Sequence, residues 1–137
     1  MSGLSRSDLV AALRGEPLAA AYLFGSHAHG TAHRESDVDV GVLFDRSQVP
    51  EAAARQRRAD RLRTHLMGAL RLDRVDFIVL NDAPPELAKT VVHTGERVLC
   101  TDPEADHAFR RDAQLRYADL KPFLDRTRRL KLDALRK

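Results

Sequence analysis

Residues 37–44, DVDVGVLF, constrain the fold more than any other stretch of the chain. At its start the run alternates strictly: Asp37, Val38, Asp39, Val40. Successive side chains of a strand point to opposite faces, so both carboxylates project one way and both valines the other. Two carboxylates on one strand face repel each other and are poorly placed in a packed sheet. A divalent cation between them removes the difficulty, and hard oxygen ligands suit magnesium. Upstream, Ala19 to Phe24 is a short apolar run that reads as a buried strand and breaks at Gly25-Ser26. Such a turn offers backbone N–H groups and a hydroxyl to a phosphate, especially where a helix starts. Metal ligands beside a phosphate cradle point to phosphoryl or nucleotidyl transfer.

The rest of the sequence bounds this reading. The chain has 137 residues, enough for one domain with a core of its own. No apolar run is long enough to span a bilayer, and the opening MSGLSRSDLVAALRG lacks the basic-then-apolar layout of a signal peptide. A single cysteine, Cys100, rules out an intrachain disulfide and fits a reducing cytoplasm. The formal net charge of +3 does not call for direct nucleic-acid binding. An acidic protein partner or a polyanionic cosubstrate accounts for it equally well.

Taken in order, Ser5 to Leu13 reads as a short helix with Leu9, Val10 and Leu13 on its apolar face. The first strand covers roughly residues 18 to 24, with Tyr22 and Phe24 at or near the core. The loop from Gly25 to Ser36 carries His27, His29 and His33, which read as solvated imidazoles of a polar active-site loop. Pro50 precedes a helix over Glu51 to Leu70, with Leu62, Leu66, Ala69 and Leu70 at helical spacing. Its arginines, Arg55, Arg57, Arg58, Arg61 and Arg63, read as a solvated face. Leu72 to Leu80 contains a mostly buried strand with Asp76 inside it, where an unpaired carboxylate would be costly. Asp76 either pairs with an arginine such as Arg74 or joins Asp37 and Asp39 in a carboxylate cluster; Asp73 is the lesser candidate at the strand entrance. A turn at Asn81–Pro85 launches a helix from Glu86 to about His93, stopped at Thr94-Gly95 with Gly95 at the C′ position, where glycine commonly takes a left-handed angle. Arg97 to Cys100 is a short edge strand. Asp102-Pro103 opens a long helical tail through Leu135, which Pro122 is placed to kink or divide. The tail holds more apolar residues than one stripe against a small core needs.

Gly25-Ser26, Gly30 and then Ser36-Asp37-Val38-Asp39 resemble the signature of DNA polymerase β-like nucleotidyltransferases, a Gly-Ser turn followed by an Asp-x-Asp strand. The small size resembles the minimal nucleotidyltransferase branch, many of whose members are antitoxins paired with HEPN-domain toxins. One departure is visible: relatives usually carry Arg where this chain has His29. The resemblance implies an α/β (α+β) fold, a small mixed sheet with helices packed on one face and a long C-terminal helical tail. It implies a single domain over 1–137, with a catalytic core at 1–101 and a partner-docking tail at 102–137. Asp37, Asp39 and Asp76 would be catalytic and would bind two Mg2+ ions. Gly25, Ser26, Gly30 and Ser36 would hold the phosphates of ATP. The implied activity is protein adenylylation: AMP passes from ATP to a hydroxyl, a tyrosine in this reading, of a HEPN RNase toxin in a cytoplasmic complex. Two other functions remain open: a binding-only antitoxin with a slow site, and adenylylation of a small molecule such as an aminoglycoside. Relatives of the last kind usually carry an additional helical domain.

Overall fold

The structure, a computed structural model, describes residues 6–24, 38–71 and 75–136. It contains β1 (Leu18–Phe24), β2 (Val38–Phe44), β3 (Val75–Val79) and β4 (Glu96–Cys100). The helices are α1 (Arg6–Leu13), α2 (Ala52–Ala69), α3 (Pro85–Thr94) and α4 (Pro103–Arg136). The four strands form one sheet in the order β3-β2-β1-β4. β1 runs antiparallel to β2 and β4, and β2 runs parallel to β3. A parallel pair needs a crossover, and α2 supplies it. The expected mixed sheet and long C-terminal helix are both present. The helix suggested by the Gly25-Ser26 turn lies outside the described residues.

Helices cover both faces of the sheet, not the one face expected. On the first face, Leu9 and Leu13 of α1 and Ala59, Leu62 and Leu66 of α2 pack against Val40, Val42, Phe44, Val75 and Val79. On the second, Val91 and Leu87 of α3 and Phe109 of α4 pack against Tyr22, Leu43 and Leu80. The reason lies in β1, LAAAYLF, which carries no charged residue at either parity and is buried from Leu18 to Leu23. A strand apolar at both parities has two faces to cover.

Three local readings are corrected. Leu80 does not continue β3; Leu80–Asp82 is a turn of 3-10 helix. Its Asn81 side chain takes over the pairing that a longer strand would make. The Phe44 N–H donates to Asn81 Oδ1 at 2.8 Å, and Asn81 Nδ2 donates to the Phe44 carbonyl at 3.0 Å. Gly95 has φ −79°, not a left-handed angle. Glycine is needed there because a Cβ would lie 2.5 Å from the Val91 carbonyl oxygen. Arg55 belongs to no solvated face: it is 4% exposed. Its guanidinium donates to both Asp82 oxygens, at 2.6 and 3.0 Å, and to the Val49 carbonyl at 3.0 Å. This ties α2 to the turn after β3.

Pro122 neither ends nor divides α4, which runs through it as one helix of 34 residues. Proline removes the hydrogen bond to the carbonyl four residues earlier. That residue, Ala118, lies on an exposed part of the helix, where water can satisfy the carbonyl.

Candidate active site

Asp39 and Asp76 are register partners across the parallel β2–β3 pair. Adjacent strands lie about 4.8 Å apart, and register partners project to the same face. The face follows from their neighbours. Val40, Val42, Val75 and Val79 point into the α1/α2 core, so Asp39 and Asp76 project to the opposite face, toward the α3/α4 side. On its other flank Asp39 faces Phe24, the last residue of β1. The two carboxylates sit at the same end of the sheet, both half-buried. Like charges directly opposite on adjacent strands are destabilising. A divalent cation relieves that repulsion, and two carboxylates are hard oxygen donors suited to Mg2+. The donor set thus fits a magnesium site.

Of the residues expected at the site, the structure brings together Asp39 and Asp76, which stand 37 positions apart in the chain. Asp37, Gly25, Ser26, Gly30 and Ser36 lie outside the described residues, as do His27, His29 and His33. Among the described residues there is no cluster of three or more His, Cys, Asp or Glu side chains placed to hold a metal.

One polar cluster on this face has no counterpart in the sequence reading. One step along the sheet from the carboxylates, Gly41, Tyr22 and Arg97 are register neighbours. The Tyr22 hydroxyl donates to Asp106 Oδ1 at 2.6 Å, and Arg97 donates to Asp106 Oδ2 at 2.9 Å. Arg110 donates in turn to the Tyr22 oxygen at 3.0 Å. Asp106 is 1% exposed and Tyr22 is fully buried. Burial, and then the bond to Asp106, push the Tyr22 phenol up to about 12, against an opposing effect of Arg110. The bond to Asp106 also holds the Arg97 guanidinium above its usual range. A buried carboxylate needs partners of this kind. The cluster binds α4 to β1 and β4, and β1 leads directly into Gly25-Ser26. Tyr22 reads as an apolar strand residue and Asp106 as a helix first-turn acid, so no local pattern marks either.

At the far end of the sheet from Asp39, α4 and the end of β2 enclose a cavity of about 380 Å³. Its walls include Leu43, Leu80, Ala88, Phe109 and Ala113, with Asp45, Arg46, Asp112 and Arg116 as its charged lining.

Comparison with known proteins agrees with this geometry. The family model described as polymerase beta, nucleotidyltransferase, matches residues 9–104. The chain is 34% identical over 100 residues to the protein adenylyltransferase MntA of Shewanella oneidensis, covering 72% of this chain and 67% of that one. It superposes with TM-score 0.69 and 30% identity on a chain from the crystal structure of a toxin–antitoxin with AMP-PNP, over 90% of this chain and 98% of that one. A third similarity is to a chain from the complex of the tri-AMPylated Shewanella oneidensis HEPN toxin with its MNT antitoxin. There the TM-score is 0.62 and the identity 26%, over 89% of this chain and 94% of that one.

Proposed function

The chain belongs to the polymerase beta nucleotidyltransferase family, and from that premise we propose that it is an antitoxin that adenylylates a HEPN-domain toxin. AMP passes from ATP to a hydroxyl of the toxin, in this reading a tyrosine, and the modified toxin is neutralised. The observation that carries the reading is the in-register pair Asp39 and Asp76, set in a chain similar to a protein adenylyltransferase.

The assignment of roles follows. Asp37, Asp39 and Asp76 would hold two Mg2+ ions. Bound there, the ions would supply charge neutralisation at the attacking and leaving oxygens of an in-line displacement. Gly25, Ser26, Gly30 and Ser36 hold the triphosphate through backbone N–H groups and hydroxyls. Asp76 accepts the proton of the toxin hydroxyl. That oxygen bonds to the α-phosphorus, the bond from the α-phosphorus to the bridging oxygen breaks, and diphosphate leaves. Positioning and electrostatic stabilisation carry the catalysis. The first face of the sheet orients the carboxylates, because the valines alternating with them are locked into the α1/α2 core.

The 1–101 segment is the catalytic core, and the 102–137 tail is the element that holds the partner. A cytoplasmic location belongs to the same proposal. No described helix is long and apolar enough to cross a membrane.

Intact-mass analysis tests the reading. The purified chain, its cognate HEPN toxin, ATP and Mg2+ are incubated together. The toxin is expected to gain one or more AMP units, and Asp39→Ala is expected to slow the transfer at least about 100-fold while leaving the complex intact. A stable complex with no mass gain from the wild-type chain would overturn the enzymatic reading and favour inhibition by binding alone.

A further inference from the structure

A largely apolar seam on α4 continues past the part of the helix that packs on α3. Ala113, Arg116, Leu120, Phe123, Thr127 and Leu130 follow one another in alternating steps of three and four residues. That is the spacing of one helix face built to meet another helix. At Ala113 the seam is 2% exposed, packed with Ala88 and Val92 of α3. Seven and fourteen residues beyond Arg116, on the same face, Phe123 is 59% exposed and Leu130 is 64% exposed. From Asp119 to Ala134 the helix extends about 24 Å at 1.5 Å per residue. The cavity under α4 opens onto the same face, since Phe109, Ala113 and Arg116 line it.

We propose that the cavity and the exposed seam form one continuous site, and that its occupant is an acidic amphipathic helix of the toxin. The inference rests on the reading of the toxin as partner. The spacing argues for a helix, because a seam of this period is matched by side chains of another helix and not by a strand. The cavity argues for a large apolar side chain at one end of that helix, since its walls are mostly apolar. The charge argues against a second copy of this chain. Between residues 118 and 134 there are five basic residues and three acidic ones, whereas the charged residues lining the cavity balance, Asp45 and Asp112 against Arg46 and Arg116. Two copies would bring two net-basic helices together, whereas an acidic helix is attracted.

Titration calorimetry of the full chain with the cognate HEPN toxin tests this. Phe123→Asp changes an exposed seam position and leaves the core untouched. Leu132→Asp is its control: Leu132 is exposed at 52% but lies off the seam. Phe123→Asp is expected to weaken binding by about 30-fold or more, the effect of losing an interface anchor. Ala108→Trp, which fills the cavity from its exposed wall, is expected to weaken it as well. Leu132→Asp is expected to change it by less than about 3-fold, and raising salt to weaken the wild-type complex. Equal losses for Phe123→Asp and Leu132→Asp, or no loss for either, would overturn the proposal. So would a free chain that dimerises in sedimentation and becomes monomeric on Phe123→Asp, which would assign the seam to a second copy. AMP transfer is measured in parallel. Transfer with unchanged affinity in Phe123→Asp refutes the seam and leaves the enzymatic reading. Seam-dependent binding without transfer from the wild-type chain does the reverse, and no complex at all refutes both.

Discussion

Tyr22 and Asp106 are joined by a buried hydrogen bond of 2.6 Å across 84 positions of sequence. The bond fixes where α4 lies. It anchors the first turns of that helix to the strand that leads into the phosphate-binding turn proposed above. Arg97 and Arg110 complete the cluster from β4 and from α4 itself. Asp106 thereby accepts from two donors.

Tyr22→Phe removes the hydroxyl and leaves Asp106 buried with Arg97 as its remaining side-chain donor in the cluster. A loss of about 1–3 kcal/mol in unfolding free energy is expected, the usual cost of an unsatisfied buried polar group. Urea denaturation of the wild type and the variant, compared at constant slope, measures it.

The same pair makes stability depend on alkaline pH. Tyr22 is raised from 10.0 to about 12 in the folded chain. Its protonated form therefore stabilises the fold fully below the unfolded value, and the contribution fades as pH rises through the folded value. Measured from about pH 9 to about pH 11.5, the difference in urea midpoint between wild type and Tyr22→Phe is expected to shrink steadily. A difference that stays constant would show that the phenol titrates alike in both states.

Arg55 and Asp82 give the opposite sign. The Arg55 guanidinium beside it holds the Asp82 carboxyl below the usual carboxylate range. The contribution is present above the unfolded value and is lost as pH falls through the folded one. Asp82→Ala is expected to flatten the acid limb of the stability curve. At neutral pH it should cost about 1–3 kcal/mol. That is less than for a fully buried pair, because the Asp82 side chain is 36% exposed while that of Arg55 is 5% exposed.

Arg71 follows α2 with φ 54°, a left-handed conformation that strains any residue with a Cβ. Arg71→Gly relieves it and is expected to raise stability by about 1 kcal/mol, read as a higher urea midpoint. Arg71→Val should lower it, since a β-branched side chain is worse placed there.

Much of the architecture is legible in the sequence. β1, β2, α2 and α3 follow from apolar runs and periodicities long enough to outweigh local exceptions. The alternation at Asp39-Val40 assigns those side chains to opposite faces before any partner strand is known. What is not legible is anything that depends on which segments meet. Arg55 stands among five arginines on one helix, and its chain neighbours do not distinguish it from the rest. It is buried because the turn after β3 brings Asp82 against α2. Gly95 looks like an ordinary helix stop, yet its reason is the nearby Val91 carbonyl.

The candidate site divides along the same line. The sequence by itself determined that Asp39 lies on a strand whose valines face a core, and that Asp76 is an acid inside an apolar strand. These are properties of period and composition, and they act through the nearest few residues. Only the tertiary structure decided that Asp39 and Asp76 stand side by side, that helices close both faces of the sheet, and that Asp106 reaches Tyr22. Each of those depends on strand register and helix placement across tens of residues. They arise from burying all the apolar surface at once, a condition on the whole chain that no single stretch encodes.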